Sequence, residues 1–177
     1  MQSRLVLRGP RLRLRPWRYD DIDAAVAWSN DFVSLRFADA DRRDEPYRPY
    51  TAAEIEMVYR AASTTGWVFI AMLGNRRAGE FILSLGGPHP GTARIDLLVA
   101  PAFRGRGLAR EGIAICAGFA FNVLEVSALY AYVTQGNTAS EALHRSLGYR
   151  RRPDEDKQPF VLTNTPPART RLRKLLT

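Results

Sequence analysis

Several residue types that mark whole classes of protein are scarce in this chain of 177 residues. Its single cysteine excludes a disulfide framework and favours a reducing compartment. Its two histidines, His89 and His144, provide no Cys/His cluster with the spacing of a zinc site, so we expect no metal. No apolar run approaches the roughly 18 residues of a membrane span, and the N-terminus has no apolar signal core. We therefore expect a cytoplasmic protein with no membrane partner.

Lysine is also rare, since only Lys157 and Lys174 among the 26 basic residues are not arginine. With 18 acidic residues the formal net charge is +8. Residues 1–18 and 165–177 together hold ten basic residues and no acid, so the body between them is close to neutral. A nucleic-acid partner is not expected, because binding would favour basic and aromatic residues interleaved over one surface. The basic ends leave contact with RNA or a ribosome open.

The abundant residue types are those of a globular protein. Apolar residues make up 46% of the chain and charged residues 25%. The length suits one domain with its own core. We expect a single domain over residues 1–177, with a core of about 10–163 and a basic C-terminal tail over 164–177.

The hydrophobic pattern changes period along the chain and predicts both strands and helices. Thr51 and Glu54 form a plausible capping box. The predicted strands are 11–15, 67–72, 78–85, 93–99, 127–134 and 160–163. The predicted helices begin near 22, run from 51 to about 62 and from about 107 to 121, and cover 139–147. Residues 37–50 are predicted to be a loop, and the tail from Pro166 either forms a short basic helix or stays loose.

These elements predict an α+β fold. The strands from residue 67 to 99 are joined by glycine-containing turns and indicate an antiparallel meander. One strand–loop–helix–strand crossover follows the meander. The expected architecture is a central, mostly antiparallel mixed sheet flanked by helices, in one domain.

The most informative segment is the crossover, where the strand ending at Val99 passes through a short loop directly into a helix. Gly105 and Gly107 allow positive φ and a close approach of the backbone to a ligand. The first N–H groups of a helix have no internal partner and lie at the positive end of its dipole, so they suit a pyrophosphate. The nucleotide P-loop would need a Gly-Lys-Ser/Thr ending, and the dinucleotide fingerprint would need glycine where Arg110 stands. Both alternatives are weak.

This loop resembles the acyl-CoA loop of the GNAT N-acetyltransferase superfamily, whose pattern is Gln/Arg-x-x-Gly-x-Gly/Ala. Residues 104–109 read Arg-Gly-Arg-Gly-Leu-Ala. Residues 137–140, Asn-Thr-Ala-Ser, and 147–149, Leu-Gly-Tyr, resemble the RimJ/RimL-like branch. The Ala109-x-Glu111 step and the opening residues 11–16 also resemble that branch, and the resemblance spans about 10–163.

The resemblance implies an acetyl-CoA-dependent N-acetyltransferase in which individual residues have defined roles. Backbone N–H groups of the loop would hold the pyrophosphate, with charge from arginines at the rim. Backbone groups of the preceding strand would contact the pantetheine arm at a splay in the sheet, and Asn137 would also bind that arm. Ser140 would protonate the leaving thiolate. The implied cofactor-binding residues are Leu98, Val99, Arg104, Gly105, Arg106, Gly107, Leu108, Ala109, Arg110 and Asn137.

The general base is the main departure from the family pattern. Family members often have an acidic base upstream on the strand before the loop, where this chain has Ala93 and Arg94. Asp96 is the first substitute and Glu80 the second. Asp96 alternates away from the main apolar face, so it is either the base or an ion-pair partner of an arginine. His144 occupies the position of a common tyrosine acid, where it either acts as an acid or is an ordinary helix residue.

A site without a strong base favours an amine that is often neutral. At pH 7 an α-amino group with a pKa of about 7.7–8.0 is neutral in roughly a tenth of molecules, whereas a lysine is neutral in under about one in a thousand. We therefore predict direct transfer to an α-amine, or a similar low-pKa amine, of a protein N-terminus or a small molecule. The alternative is a catalytically weak acyl-CoA-binding domain that senses CoA or docks a partner. A monomer or homodimer is expected from the resemblance.

Overall fold

The computed structural model describes residues 5–37, 48–155 and 157–177, so most of the predicted loop over 37–50 lies outside the described residues. The described strands are β1 (Leu7–Arg8), β2 (Leu12–Pro16), β3 (Gly66–Leu73), β4 (Arg76–Leu85), β5 (Thr92–Val99), β6 (Ala128–Ala131), β7 (Arg150–Arg151) and β8 (Phe160–Thr163). The described helices are α1 (Ile22–Ser29), α2 (Phe32–Phe37), α3 (Ala52–Thr65), α4 (Leu108–Asn122), α5 (Thr138–Leu147) and α6 (Pro166–Lys174). Short 3₁₀ turns cover Tyr19–Asp21 and Pro101–Phe103.

The strands form one sheet in the order β1-β2-β3-β4-β5-β6-β8-β7. Neighbouring strands pair antiparallel except β5 and β6, which pair parallel. Parallel neighbours need a long crossover, and α4 supplies it. The predicted α+β fold with a mostly antiparallel mixed sheet is confirmed.

Helices cover both faces of the sheet, and two neighbouring residues of β4 show how. Successive side chains of a strand point to opposite faces. Phe81 packs under α4, so closely that a Cβ on Gly112 would lie 2.0 Å from the Phe81 ring. Glu80 points to the other face, where it accepts a hydrogen bond from Tyr59 of α3. The sheet therefore separates an α4 side from an α1/α3 side. None of the described helices is both long enough and apolar enough to cross a membrane.

Three short elements were absent from the sequence-based expectation. β1 and β7 have only two residues each, so neighbouring strands rather than periodicity define them. α2 has no buried side chain and therefore no apolar face to predict. The strand expected over 127–134 is limited to β6, because β8 begins opposite Ala131 and β5 diverges. The tail from Pro166 forms α6, which Thr165 caps by accepting from the Ala168 N–H.

A buried carboxylate fixes α1 against the sheet. Asp21 has no exposed surface and accepts two hydrogen bonds of 2.7 Å from the Arg15 guanidinium of β2. The Arg77 Nε of β4 donates at 2.6 Å, and the Arg18 N–H at 2.7 Å. Burial opposes ionisation, but the hydrogen bonds from Arg15 and Arg77 outweigh it and hold the pKa of Asp21 below its usual range.

Replacing Asp21 by asparagine is expected to lower the free energy of unfolding by about 2 kcal/mol at pH 7, since it weakens charge-assisted hydrogen bonds. A depressed folded-state pKa stabilises the protein above the unfolded value, about 3.9, and this stabilisation disappears as the pH falls through the folded-state value. The variant should therefore lose less stability than the wild type on acidification. Urea unfolding at several pH values measures both effects. Asp23→Asn, at an exposed position of α1, is the control, and an equal acid dependence in Asp21→Asn and wild type would contradict the assignment.

Candidate functional site

The sheet opens between β5 and β6. The two strands pair at only three positions, Thr92–Arg94 of β5 with Ala128–Tyr130 of β6. From Ile95 onward, β5 has no strand partner on that side within the described structure, although it continues to Val99. Leu98 and Val99, the residues predicted to contact pantetheine, lie on this open edge. The Leu98 carbonyl points toward Gly79 of β4, and the Val99 carbonyl accepts from the Arg104 Nε at 3.2 Å, so neither carbonyl is free for a ligand.

The loop after β5 presents a run of backbone donors. Gly105 and Gly107 have φ values of 72° and 73°, in the left-handed region that favours glycine. Gly107 is the N-cap of α4, and Leu108 is its first residue. The N–H groups from Gly105 to Arg110 donate to no acceptor in the described part of the chain. Such a run of free donors at a helix N-terminus suits a phosphate group.

Arg104 differs from its predicted role, because both its backbone and its side chain already have partners. Its N–H donates to the Pro101 carbonyl at 3.3 Å, which closes the 3₁₀ turn. Its guanidinium donates to Asp31 at 2.7 Å and to Ser34 at 2.8 Å. The free donors therefore begin one residue later than predicted. Positive charge at the rim comes from Arg106 and the exposed Arg110, while Arg104 joins the loop to α2.

α5 begins beside this opening, and Asn137 is its N-cap. The Asn137 Oδ1 accepts from the Ser140 N–H at 3.1 Å. This oxygen therefore caps α5. The amide NH₂ of Asn137 donates no hydrogen bond among the described residues, so it is the part of the side chain that remains for a ligand.

Ser140 and His144 lie one turn apart on α5. The Ser140 carbonyl is 2.8 Å from the His144 Nδ1, and since a carbonyl only accepts, Nδ1 carries the proton. The Ser140 Oγ is 3.4 Å from the same nitrogen. Burial lowers the pKa of His144, although the Ser140 hydrogen bond and the Asp96 charge act the other way. The neutral ring then has an unprotonated Nε2, which is buried without a partner in the described residues.

Two carboxyl groups share the α1/α3 side of the open strands. Glu80 pairs with Leu98 and Ile82 with Asp96, so Glu80 and Asp96 are diagonal neighbours on adjacent strands. The Asp96 carboxylate accepts from the Arg94 Nε and NH2 at 3.0 and 2.8 Å. The sequence left open whether Asp96 is the base or an ion-pair partner of an arginine. In the structure it forms an ion pair with Arg94. Its carboxylate is bound to a guanidinium.

Glu80 has the more unusual environment. Burial raises the pKa of its carboxyl to about 7, with the Asp96 charge acting in the same direction and the Tyr59 hydrogen bond opposing it. Tyr59 is held in place by an edge-on contact with Trp17, whose ring centroid lies 5.3 Å away. A carboxyl with this pKa can take up a proton near neutral pH. Within the described chain, no cationic side chain pairs with it.

Sequence reasoning ranked Glu80 second and missed its contact with Tyr59. A charged residue inside an apolar strand was the available signal, but nothing local indicates which helix residue faces it. Glu111 was noted only as part of a motif. In the structure it is 4% exposed and accepts three hydrogen bonds from Arg11 and Leu12.

Comparison with known proteins agrees with the fold. Residues 11–150 match the family model of the acetyltransferase (GNAT) domain. RimJ of Mycobacterium smegmatis, solved with a CoA disulfide, is 20% identical, with 96% of this chain and 92% of that chain covered and a TM-score of 0.72. RimL, a ribosomal L7/L12 alpha-N-protein acetyltransferase solved with coenzyme A, is 13% identical (90% and 98% covered, TM-score 0.72). The aminoglycoside acetyltransferase AAC(6')-Ib, solved with paromomycin and acetyl-CoA, is 20% identical (92% and 98% covered, TM-score 0.74).

The residues of this chain fit acetyl-CoA as co-substrate. The free N–H groups from Gly105 to Arg110 suit the pyrophosphate, and the open edge of β5 suits the amide groups of pantetheine. Related structures contain coenzyme A or acetyl-CoA. Because the family model covers most of the chain, the protein belongs to the GNAT family of acetyltransferases.

Proposed function

We propose that this protein transfers the acetyl group of acetyl-CoA directly to a primary amine, in a ternary complex. The observation that carries the proposal is the position of Glu80 relative to the loop. Glu80 pairs with Leu98, next to the last residue of β5, and the run of free N–H donors begins six residues after Val99. A group that accepts protons and a group that binds phosphate therefore lie at the same end of the sheet.

Glu80 is the proposed general base. An amine attacks a thioester only when it is neutral, so its proton must leave first. The Glu80 carboxylate takes that proton, and its pKa of about 7 lets it do so near neutral pH. Asp96, the base predicted from the sequence, is ion-paired with Arg94, and its proposed role is to raise the pKa of Glu80 through its charge. The new N–C bond then forms as the C–S bond of the thioester breaks.

Ser140 is the proposed acid: its hydroxyl donates a proton to the departing thiolate while accepting the second proton of the attacking nitrogen, so that no alkoxide is left. His144 is the weaker candidate, because its Nδ1 proton is committed to the Ser140 carbonyl and its neutral Nε2 carries no proton to give. The Ser140 hydroxyl has one proton and is only partly buried. Asn137 orients the pantetheine arm through its free amide group.

An α-amine remains the proposed acceptor. A base with a pKa of about 7 is roughly one unit below an α-amino group but more than three units below a lysine, so removing the proton from an α-amine costs far less. RimL is named as an alpha-N-protein acetyltransferase, and AAC(6')-Ib was solved with paromomycin. The proposed acceptors for this chain are accordingly a protein N-terminus or a small-molecule amine.

Thermal unfolding with acetyl-CoA, beside NADH and ATP controls, tests the cofactor assignment. At about a hundred times its Kd a ligand adds roughly 2.7 kcal/mol, which is a shift of about 5–10 °C in the Tm of a domain of this size. Thiol release should then be measured with a peptide bearing a free N-terminus, an N-terminally blocked lysine peptide and paromomycin. Equal turnover of both peptides would contradict the acceptor preference. A thermal shift without turnover on any amine would favour the acyl-CoA-binding alternative.

A further inference from the structure

The first turn of α4 is attached to the start of β2 through a buried carboxylate. Glu111 is 4% exposed, and its Oε1 accepts from the backbone N–H groups of Arg11 and Leu12 at 2.7 and 2.8 Å. Its Oε2 accepts from the Arg11 Nε at 2.8 Å. Leu12 of β2 and Arg11 just before it, about a hundred positions earlier in the chain, therefore bind the helix that follows the loop.

The same arginine reaches the loop itself. The Arg11 NH1 donates to the Arg106 carbonyl at 2.9 Å, between the two glycines with positive φ. A Cβ at Gly107 would lie 3.6 Å from the Arg11 NH2. Arg11 also lines a hollow of about 200 Å³ with Gly107 and Arg110. One guanidinium thus bonds to both Glu111 in the first turn of α4 and the loop segment between the two glycines.

We propose that Arg11, held by Glu111, is a positioning residue that keeps the loop in the conformation that binds the pyrophosphate of acetyl-CoA. This inference rests on the proposed role of the loop. Gly105 and Gly107 have wide conformational freedom, so an unsupported loop would lose entropy when it closes around a phosphate. The hydrogen bond from the Arg11 guanidinium fixes the orientation of the Arg106 carbonyl. The neighbouring N–H groups are then oriented before the ligand arrives.

The local electrostatics support the same role. Arg11 is about half exposed, so its charge is only partly compensated by Glu111. The guanidinium adds a positive field beside the α4 N-terminus, where Arg106 and Arg110 already contribute. An anion bound at the free N–H groups therefore gains from Arg11 without needing to touch it.

The test compares Arg11→Ala and Arg11→Lys with Arg13→Ala as the matched control. Arg13 is an exposed arginine of β2, two residues further along the chain, and it pairs with Arg8 of β1 rather than with Glu111 or the loop. The alanine variant should fold, since the backbone N–H groups of residues 11 and 12 still bind Glu111. Thermal unfolding of each variant checks this point. The probes are acetyl-CoA and S-acetylpantetheine, which keeps the thioester and pantetheine but lacks the pyrophosphate.

Arg11→Ala should raise the Kd of acetyl-CoA roughly tenfold, equivalent to about 1.4 kcal/mol, and leave that of S-acetylpantetheine within about twofold. Arg11→Lys should restore part of the loss, because one ammonium cannot span both Glu111 and the Arg106 carbonyl as a guanidinium does. Calorimetry measures the tighter ligand, and ligand-observed NMR the weaker one. Arg13→Ala should change neither Kd.

An unchanged acetyl-CoA affinity in Arg11→Ala would overturn the inference. An equal loss for both probes would do so as well, because it would indicate a general structural role. Failure of the underlying loop assignment has a different signature. In that case Gly107→Val would also leave the affinity for acetyl-CoA unchanged.

Discussion

Gly107→Val is expected to weaken acetyl-CoA binding by at least about a hundredfold, or about 2.7 kcal/mol. Gly107 has φ of 73° and ψ of 7°, a conformation that a β-branched residue rarely adopts. To relieve the strain the backbone must rotate, and rotation turns away the N–H groups at the start of α4. The branched side chain also occupies the surface where a phosphate would meet the backbone. Calorimetric titration with acetyl-CoA measures the loss.

Gly74→Val separates this effect from simple backbone strain. Gly74, in the turn between β3 and β4, has φ of 60°, and a Cβ there meets nothing within 4 Å. Each valine variant should therefore lose stability by a similar amount, on the order of 1–2 kcal/mol. Gly107→Val alone should lose affinity for acetyl-CoA. Equal affinities in the two variants would mean that the loop does not bind the pyrophosphate.

Glu80→Gln should reduce kcat by about 10²–10⁴-fold, the usual contribution of a general base. Glutamine has nearly the same shape and still accepts from Tyr59, so the site keeps its packing while losing the proton acceptor. Acetyl-CoA affinity should be unchanged, because Glu80 bonds to Tyr59 on the α1/α3 side and not to the N–H groups of the loop. Thiol-release kinetics with the best amine from the screen give kcat. A larger loss in Asp96→Asn than in Glu80→Gln would assign the base to Asp96 instead.

The pH profile provides an independent check on the base. With Glu80 as base, the rate should rise with pH through about 7 in the wild type, and this limb should vanish in Glu80→Gln. The Tyr59 hydrogen bond lowers the pKa of Glu80, so Tyr59→Phe should move the limb to higher pH. The Asp96 charge raises that pKa, so Asp96→Asn should move the limb to lower pH. Shifts of the opposite sign would contradict the proposed arrangement.

Most of the fold was predictable because its signals are local. The alternation over 93–99, the Thr51–Glu54 capping box and the glycine pair after Val99 each lie within a few residues, and the structure contains β5, a capped α3 and the loop where they predict them. The parallel pairing of β5 and β6 also follows from one strand–helix–strand crossover. Elements without such a pattern were missed, as α2 shows with its unburied side chains.

Predictions for the site were less complete, since contacts between distant residues decide what each side chain can do. The sequence identified Arg104 as a rim charge, but its guanidinium binds Asp31, 73 residues earlier. Asp96 ranked above Glu80 until the structure showed Arg94, two residues away on the same strand, on the Asp96 carboxylate and Tyr59 of α3 on that of Glu80. No single-sequence pattern reports which helix faces which strand.

By itself the sequence determined the glycine loop proposed to bind phosphate, the order of the elements and the resemblance to the GNAT family, because glycine positions, caps and hydrophobic periods act over a few residues. Only the tertiary structure decided which carboxyl has a raised pKa and which arginine supports the loop. Those properties depend on burial and on partners 21 to 100 residues away. Such partners come into contact only through strand register and helix packing, and no local sequence pattern indicates either of them.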